Sequence, residues 1–319
     1  MMPDYNSKNI SYPSQLAIFL GLTCAGIFIG SFISIALWSM MTHRPVLMIE
    51  SDMMKPEFYN AIMTIQVVST FFIFFVPVYF FAMICYRKPY KYLGYNFHFN
   101  YKQVFLLVGI LLLTFPLSGA LANLNKILPI PEHWAVKFKA MEAAREAQEA
   151  ALIQITSFSK YIISLIVIAL LPAVFEETFF RGGIQTLFTR WFKGPWIAII
   201  FTSIIFSLVH LSYYGFLVRF ALGLVLGLIF YYSGSLLLNI LCHFLFNGIQ
   251  VTALYMMTVK GIKDNKDIES NFPLWMGIFA LALLFYLFKL FKQRSEIERS
   301  KYVEEISFDD EFHTWTNQL

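Results

Sequence analysis

The chain has 319 residues, of which 58% are hydrophobic and 14% charged, with a formal net charge of +4. Its mean hydropathy is +0.63. A soluble domain carries about 25% charged residues, so the composition excludes an ordinary soluble globule and identifies a polytopic membrane protein. With a small net charge and no long basic run, no nucleic acid is expected as a partner. Cys24, Cys85 and Cys242 all fall in apolar runs without CxxC pairing, and are expected to be buried as small hydrophobes.

In chain order, the apolar runs predict an all-α fold of about eight transmembrane helices, each near the ~20 residues a bilayer requires. They cover 15–41, 60–85, 103–125, 160–190, 195–211, 215–232, 235–259 and 273–291. The first run is too long for a signal-peptide core and reads as a retained span. Very short turns, around Lys193-Gly194, Ser212–Gly215 and Ser233–Ser235, join spans four to seven into an antiparallel four-helix core.

Between spans three and four, residues 132–156 place Trp134, Phe138, Met141, Leu152 and Ile155 at near-helical spacing. That pattern predicts an amphipathic surface helix, either a packed connector or a gate over a substrate entrance. Beyond Lys292 the tail ends acidic (Glu304, Glu305, Asp309, Asp310, Glu311) and is expected to be a solvated, partly ordered extension. Three blocks result: 1–159, with three spans and the surface helix; 160–259, the core bundle; and 260–319, the last span and charged tail.

Loop charges orient the chain. Arg87, Lys88, Lys91 and Lys102 follow span two, Arg190 and Lys193 follow span four, and Lys289, Lys292 and Arg294 end the last span. All three groups lie on one side if both termini are cytoplasmic. The loop after span seven is mixed, with Lys260, Lys263 and Lys266 among Asp264, Asp267 and Glu269.

Ionisable residues inside the spans are concentrated in the core. Span four carries Glu176, Glu177 and Arg181 within "LLPAVFEETFFRGG", and span six carries Arg219 near its start, read as an interfacial snorkelling residue. Of six histidines, only His210 and His243 lie in spans. A charge at the centre of a spanning helix costs roughly 2.5–3.5 kcal/mol on insertion scales, so such groups usually face a protein interior or a water-filled cavity. Glu177 and Arg181 are i,i+4 and can pair along one face, while Glu176 is rotated about 100° from Glu177. Counted from the turn near residue 192, Glu176 and His210 fall at similar depth. Pro172 removes the usual helical donor of the Ile168 carbonyl, and can kink the helix just before the glutamates.

"EETFFR" (Glu176, Glu177, Arg181), "FSLVH" (Phe206, His210) and "HFLFN" (His243, Asn247), in that order on successive spans, resemble the EExxxR, FxxxH and HxxxN motifs of the CPBP family of CAAX prenyl endoproteases and bacteriocin-processing enzymes. The detailed resemblance covers about 155–255. It implies an intramembrane endopeptidase with an eight-helix fold, acting on a membrane-associated peptide or protein. Carried over by position, it makes Glu176 the general base that activates water, and Glu177, held by Arg181, the residue that orients the site. It makes His210 a water-positioning residue or a metal ligand, and gives His243 and Asn247 to metal binding or the oxyanion.

The chemistry is coherent without the family. Peptide hydrolysis needs an activated water, a base and an oxyanion stabiliser. Glu176, His210 and His243 could alternatively supply three ligands to a catalytic zinc. There is no HExxH, so zinc and a metal-free glutamate mechanism both stay open, with the reading leaning toward no tightly bound zinc. Two other classes compete: an ion-coupled transporter using the same residues as a proton relay, and a non-catalytic immunity or scaffold protein. No inverted repeat supports the first, and Glu176 and His210 are both retained against the second. A bacterial inner membrane is the expected location.

Overall fold

The computed structural model describes residues 7–52, 55–152, 155, 157–261 and 272–316, with the side chains of 50, 56, 146–152 and 301–316 outside the description. Ten helices organise it. They are α1 (Tyr12–Thr42), α2 (Tyr59–Cys85), α3 (Pro89–Leu93), α4 (Tyr101–Ile127), α5 (Glu132–Leu152), α6 (Phe158–Trp191), α7 (Pro195–Leu208), α8 (Phe216–Ser233), α9 (Leu236–Val259) and α10 (Leu274–Thr316). Seven of the helices are long and apolar enough to cross a membrane, and the protein is an all-α integral membrane protein.

The exception is α7. Its 14 residues span about 21 Å, short of the ~30 Å hydrocarbon core. Apolar sequence continues to Leu211, but the helix ends at Leu208. Leu211 adopts a left-handed backbone (φ 50°), and the Ser207 hydroxyl donates to the Phe216 carbonyl at 2.7 Å, closing a tight turn. His210 therefore lies in a turn within the fold and not on the spanning helix expected from hydropathy.

Two spans widen into π-helical turns just before a proline. In α2 the wide stretch is Phe71–Phe75, ahead of Pro77, and the Val76 N–H donates to the Phe71 carbonyl. In α6 it is Leu165–Leu170, ahead of Pro172, and the Leu171 N–H reaches back to Ile166. The extra residue per turn absorbs part of the disruption that proline causes to regular bonding. A second wide stretch in α6, Thr178–Gln185, follows the glutamates directly.

Small residues let helices approach closely. A Cβ on Gly26 of α1 would lie 2.2 Å from the Phe72 carbonyl oxygen of α2, and one on Gly30 would lie 2.8 Å from the Phe72 Cβ. This is the small-xxx-small arrangement of membrane helix pairs. The turn between α8 and α9 uses Gly234 at φ 68°, and the loop before α4 uses Gly94 at φ 86°. The two are cross-linked: Leu236 N–H donates to the Gly94 carbonyl and Asn96 Nδ2 to the Gly234 carbonyl, both at 2.8 Å.

Asn100 and Gln103 form a capping box that starts α4. The same residues bolt α10 to α4, because Asn100 Nδ2 donates to Glu298 at 2.6 Å and Gln103 Nε2 to Ser295 at 3.0 Å. Helix α10 continues to Thr316; the acidic side chains expected in the tail lie outside the described residues, as do the mixed-charge loop residues 263–269. Cys85 and Cys242 are buried and unbridged as expected, but Cys24 is exposed on the outer face of α1.

Gly26→Leu should destabilise the protein by about 1–3 kcal/mol through overpacking. At Gly21 a Cβ meets nothing within 4 Å, so Gly21→Leu should leave the thermal unfolding midpoint in detergent nearly unchanged.

Candidate active site

The site is built around one carboxylate. Glu177 on α6 is fully buried, as is Arg181 one turn on. Arg181 Nη1 donates to Glu177 Oε1 at 2.7 Å. From α9, His243 Nδ1 donates to the same oxygen at 2.7 Å and Asn239 Nδ2 to Oε2 at 2.6 Å. Arg181 Nη2 extends to the Gly223 carbonyl of α8 at 3.2 Å, and Gln185 Nε2 reaches the Gly227 carbonyl at 2.9 Å. Gly223 and Gly227 lack the side chains that would hold α7 and Gln185 away: a Cβ on either would come within 2.9 Å of Ser203 or Ile199.

Phe206 of α7 joins this network to the second histidine. The Arg181 guanidinium carbon lies 4.7 Å from the Phe206 ring centre, a buried cation–π contact. His210 and His243 rings stand at 5.1 and 6.1 Å from it, both roughly edge-on. His210 Nδ1 is 2.7 Å from the Phe206 carbonyl. A carbonyl can only accept, so Nδ1 of His210 carries the proton and Nε2 is left for another partner. The carboxylate of Glu177 imposes the same tautomer on His243.

Glu176 differs sharply from its neighbour. Rotated about 100° around α6, it is half-buried and makes no hydrogen bond or ion pair among the described residues. His243, Arg181 and Arg219 lie within its electrostatic range, and Arg219 and His243 also lie within that of His210. Asn247, one turn beyond His243 on α9, is half-buried and bonds to none of the other five candidates among the described residues. The fold thus ties Glu177, Arg181 and His243 together directly, brings His210 to them through Phe206, and leaves Glu176 and Asn247 at the edge with unengaged polar groups.

The turn that carries His210 is pinned from outside the core bundle. Asn125 of α4, 1% exposed, donates from Nδ2 to the Tyr213 carbonyl and accepts the Leu217 N–H at Oδ1, both at 3.0 Å. From α5, Phe138 stacks on Tyr213 at 4.8 Å, and Glu142 accepts from the Ser212 hydroxyl at 2.9 Å. Partial burial pushes the Glu142 carboxyl upward, but hydrogen bonds from Arg145 and Ser212 outweigh it and hold the group below the ordinary carboxylate range. Arg219 folds its guanidinium back over Gly215, where a Cβ would lie 2.0 Å from Nη1. The surface helix expected at 132–156 is therefore docked over the His210 turn; the side chain of Leu152 and residue 156 lie outside the described residues.

A catalytic zinc takes three protein ligands and a water. No three His, Cys, Asp or Glu side chains converge as such a set among the described residues. Glu176, His210 and His243 do not converge as the three ligands of a tetrahedral zinc in this arrangement.

Residues 158–249, which hold every one of these candidate side chains, match the family model described as type II CAAX prenyl endopeptidase Rce1-like. The match covers this segment and not the rest of the chain. The chain is also 30% identical, over 111 residues, to the uncharacterized protein YpbD of Bacillus subtilis (strain 168). That stretch is 34% of this chain and 54% of YpbD, so the chain spans about half the length of that relative. No solved structure matches the chain. Within the Rce1-like segment, Asn239 and the two glycine carbonyls are the functional-site contacts that motif reading missed. The signals were present, as an Asn one turn before His243 and as the Gly-x-x-x-Gly pair of α8.

Arg181→Ala would strand a buried carboxylate without its cation, and should cost about 3–5 kcal/mol of stability. Arg181→Lys should recover only part of that, because one ammonium does not reproduce the fork that spans Glu177 and the Gly223 carbonyl. Thermal unfolding in detergent measures both.

Proposed function

We propose that the protein is a CAAX-type intramembrane endopeptidase that hydrolyses a peptide bond in a membrane-associated peptide or protein. The observation that carries this reading is the division of labour between adjacent glutamates: Glu177 is saturated by Arg181, His243 and Asn239, while Glu176 makes no hydrogen bond or ion pair among the described residues. The match to the Rce1-like family supports the reaction class.

In this mechanism Glu176 removes a proton from water, and the hydroxide attacks the scissile carbonyl carbon. The second O–H of that water is accepted by Nε2 of His210 or of His243, each left as an acceptor by its anchored Nδ1–H group, and this orients the water. Asn247 donates its amide N–H to the oxyanion. The proton held by Glu176 then passes to the leaving amine as the C–N bond breaks. Glu177 and Arg181 touch no reacting atom; they hold His243 and the α6–α8–α9 spacing. This is a metal-free glutamate mechanism, in which the general base supplies the usual 10²–10⁴-fold.

The loop charges further support an orientation with both termini cytoplasmic, and the membrane proposed is a bacterial cell membrane. The substrate class follows the family: a lipid-associated chain whose scissile bond reaches Glu176.

Purified protein in proteoliposomes should cleave a library of membrane-anchored peptides, read by mass spectrometry of the products. Glu176→Gln should lose at least ~100-fold of that activity with thermal stability unchanged or raised, and dialysis against a chelator should leave wild-type cleavage intact. Cleavage by Glu176→Gln at the wild-type rate overturns the assignment of the base. Loss of activity on chelation, restored by zinc, overturns the metal-free mechanism.

A further inference from the structure

A groove of 660 Å³ runs along the outer face of the bundle between α4 and α10, away from the Glu176 site. Its walls are almost wholly apolar, from Phe105, Val108 and Leu290 among others, while one end is bordered by Tyr101, Lys102 and Arg294. Tyr101 and Phe105 are 76% and 79% exposed, an aromatic pair at the start of a spanning helix, where tyrosine marks the membrane–water boundary. From Tyr101 to Val108 the groove follows α4 for about 10 Å into the span.

The two cations at its head are held at one level by the bonds that bolt the helices together, Gln103 to Ser295 and Asn100 to Glu298. Lys102 and Arg294 are both exposed, and neither forms an ion pair among the described residues. The adjacent acids are engaged elsewhere: Glu298 accepts from Asn100, and Glu296 lies 3.8 Å from Lys292. Lys102 rests 5.8 Å from the centre of the Tyr101 ring, and both residues line the groove.

We propose that this groove is a binding site for an anionic glycerophospholipid, with the headgroup phosphate between Lys102 and Arg294 and one acyl chain along Phe105, Val108 and Leu290. Charge complementarity selects this occupant. A zwitterionic lipid fills the apolar part equally well but carries a compensating cation toward two fixed positive charges, whereas a free phosphate gains nothing from the apolar walls. Basic residues between spanning helices at the headgroup level recognise acidic lipids in this way, each contributing enough that two give a preference of roughly 30-fold.

The test uses the full chain in detergent with an equimolar mixture of phosphatidylglycerol and phosphatidylcholine, read by native mass spectrometry. Wild type should retain one phosphatidylglycerol in preference to phosphatidylcholine by about 30-fold. Lys102→Gln with Arg294→Gln should reduce that ratio toward one, while Arg87→Gln with Lys88→Gln, away from the groove, should preserve it. Val108→Trp, which fills the groove without touching its charges, should lower retention of both lipids. All four side chains changed to Gln are exposed, and a thermal melt verifies that each variant is folded. Equal retention of the two lipids by wild type, or an unchanged ratio in the Lys102/Arg294 variant, overturns the proposal.

Discussion

A carboxylate sealed inside a membrane protein has to be answered by donors from its own chain, and Glu177 is answered by three. The ion pair with Arg181 is the largest contribution, since an isolated buried charge costs several kcal/mol even after relaxation. Meeting that requirement fixes much else. Arg181 also reaches the backbone of α8, which is possible because Gly223 lets α8 and α7 close up and leaves its carbonyl accessible. Asn239 and His243, one turn apart on α9, are drawn to the same carboxylate. One charge thus sets the spacing of three helices, and Phe206, wedged between Arg181 and both histidines, brings in the fourth.

From that constraint comes the contrast on which the proposed chemistry rests. Adjacent residues on a helix point about 100° apart, so saturating Glu177 leaves Glu176 turned toward the site's edge with no hydrogen-bond donor among the described residues. His210 sits in a turn whose left-handed residue, Leu211, is held in place by Asn125, Ser207 and Ser212 on every side. A residue kept in a sparsely populated backbone region needs such over-determination. Helix α5 belongs to it: Phe138 and Glu142 dock on the turn directly, so the position of His210 depends on residues well outside the core bundle.

Much of this was legible in the sequence. Hydropathy located the spans to within a few residues, the i,i+4 spacing of Glu177 and Arg181 foretold their pair, and the motif order placed His210 and His243 in the same bundle. What escaped has physical reasons. Asn239 sits one turn before His243, but its role escaped because it is set by a hydrogen bond between helices. Asn125 was invisible because its partners are backbone atoms 88 and 92 residues away. Hydropathy carried span five through Leu211, since it registers apolar side chains and not the hydroxyl-closed turn that ends the helix. The two π-helical stretches before Pro77 and Pro172 were likewise hidden, although Pro172 announced a disruption. Helix α10 outran its apolar stretch because Ser295 and Glu298 anchor it beyond the membrane.

The central claim is that neighbouring glutamates divide the work, one holding the fold and the other left to react. Thermal unfolding of Glu177→Gln and Glu176→Gln, measured side by side in the same detergent, tests it most directly. The account predicts a markedly lowered midpoint for Glu177→Gln, whose loss leaves Arg181 as a buried unpaired cation, and an unchanged or raised midpoint for Glu176→Gln. Equal midpoints for the two variants, or a larger loss at Glu176, would contradict it.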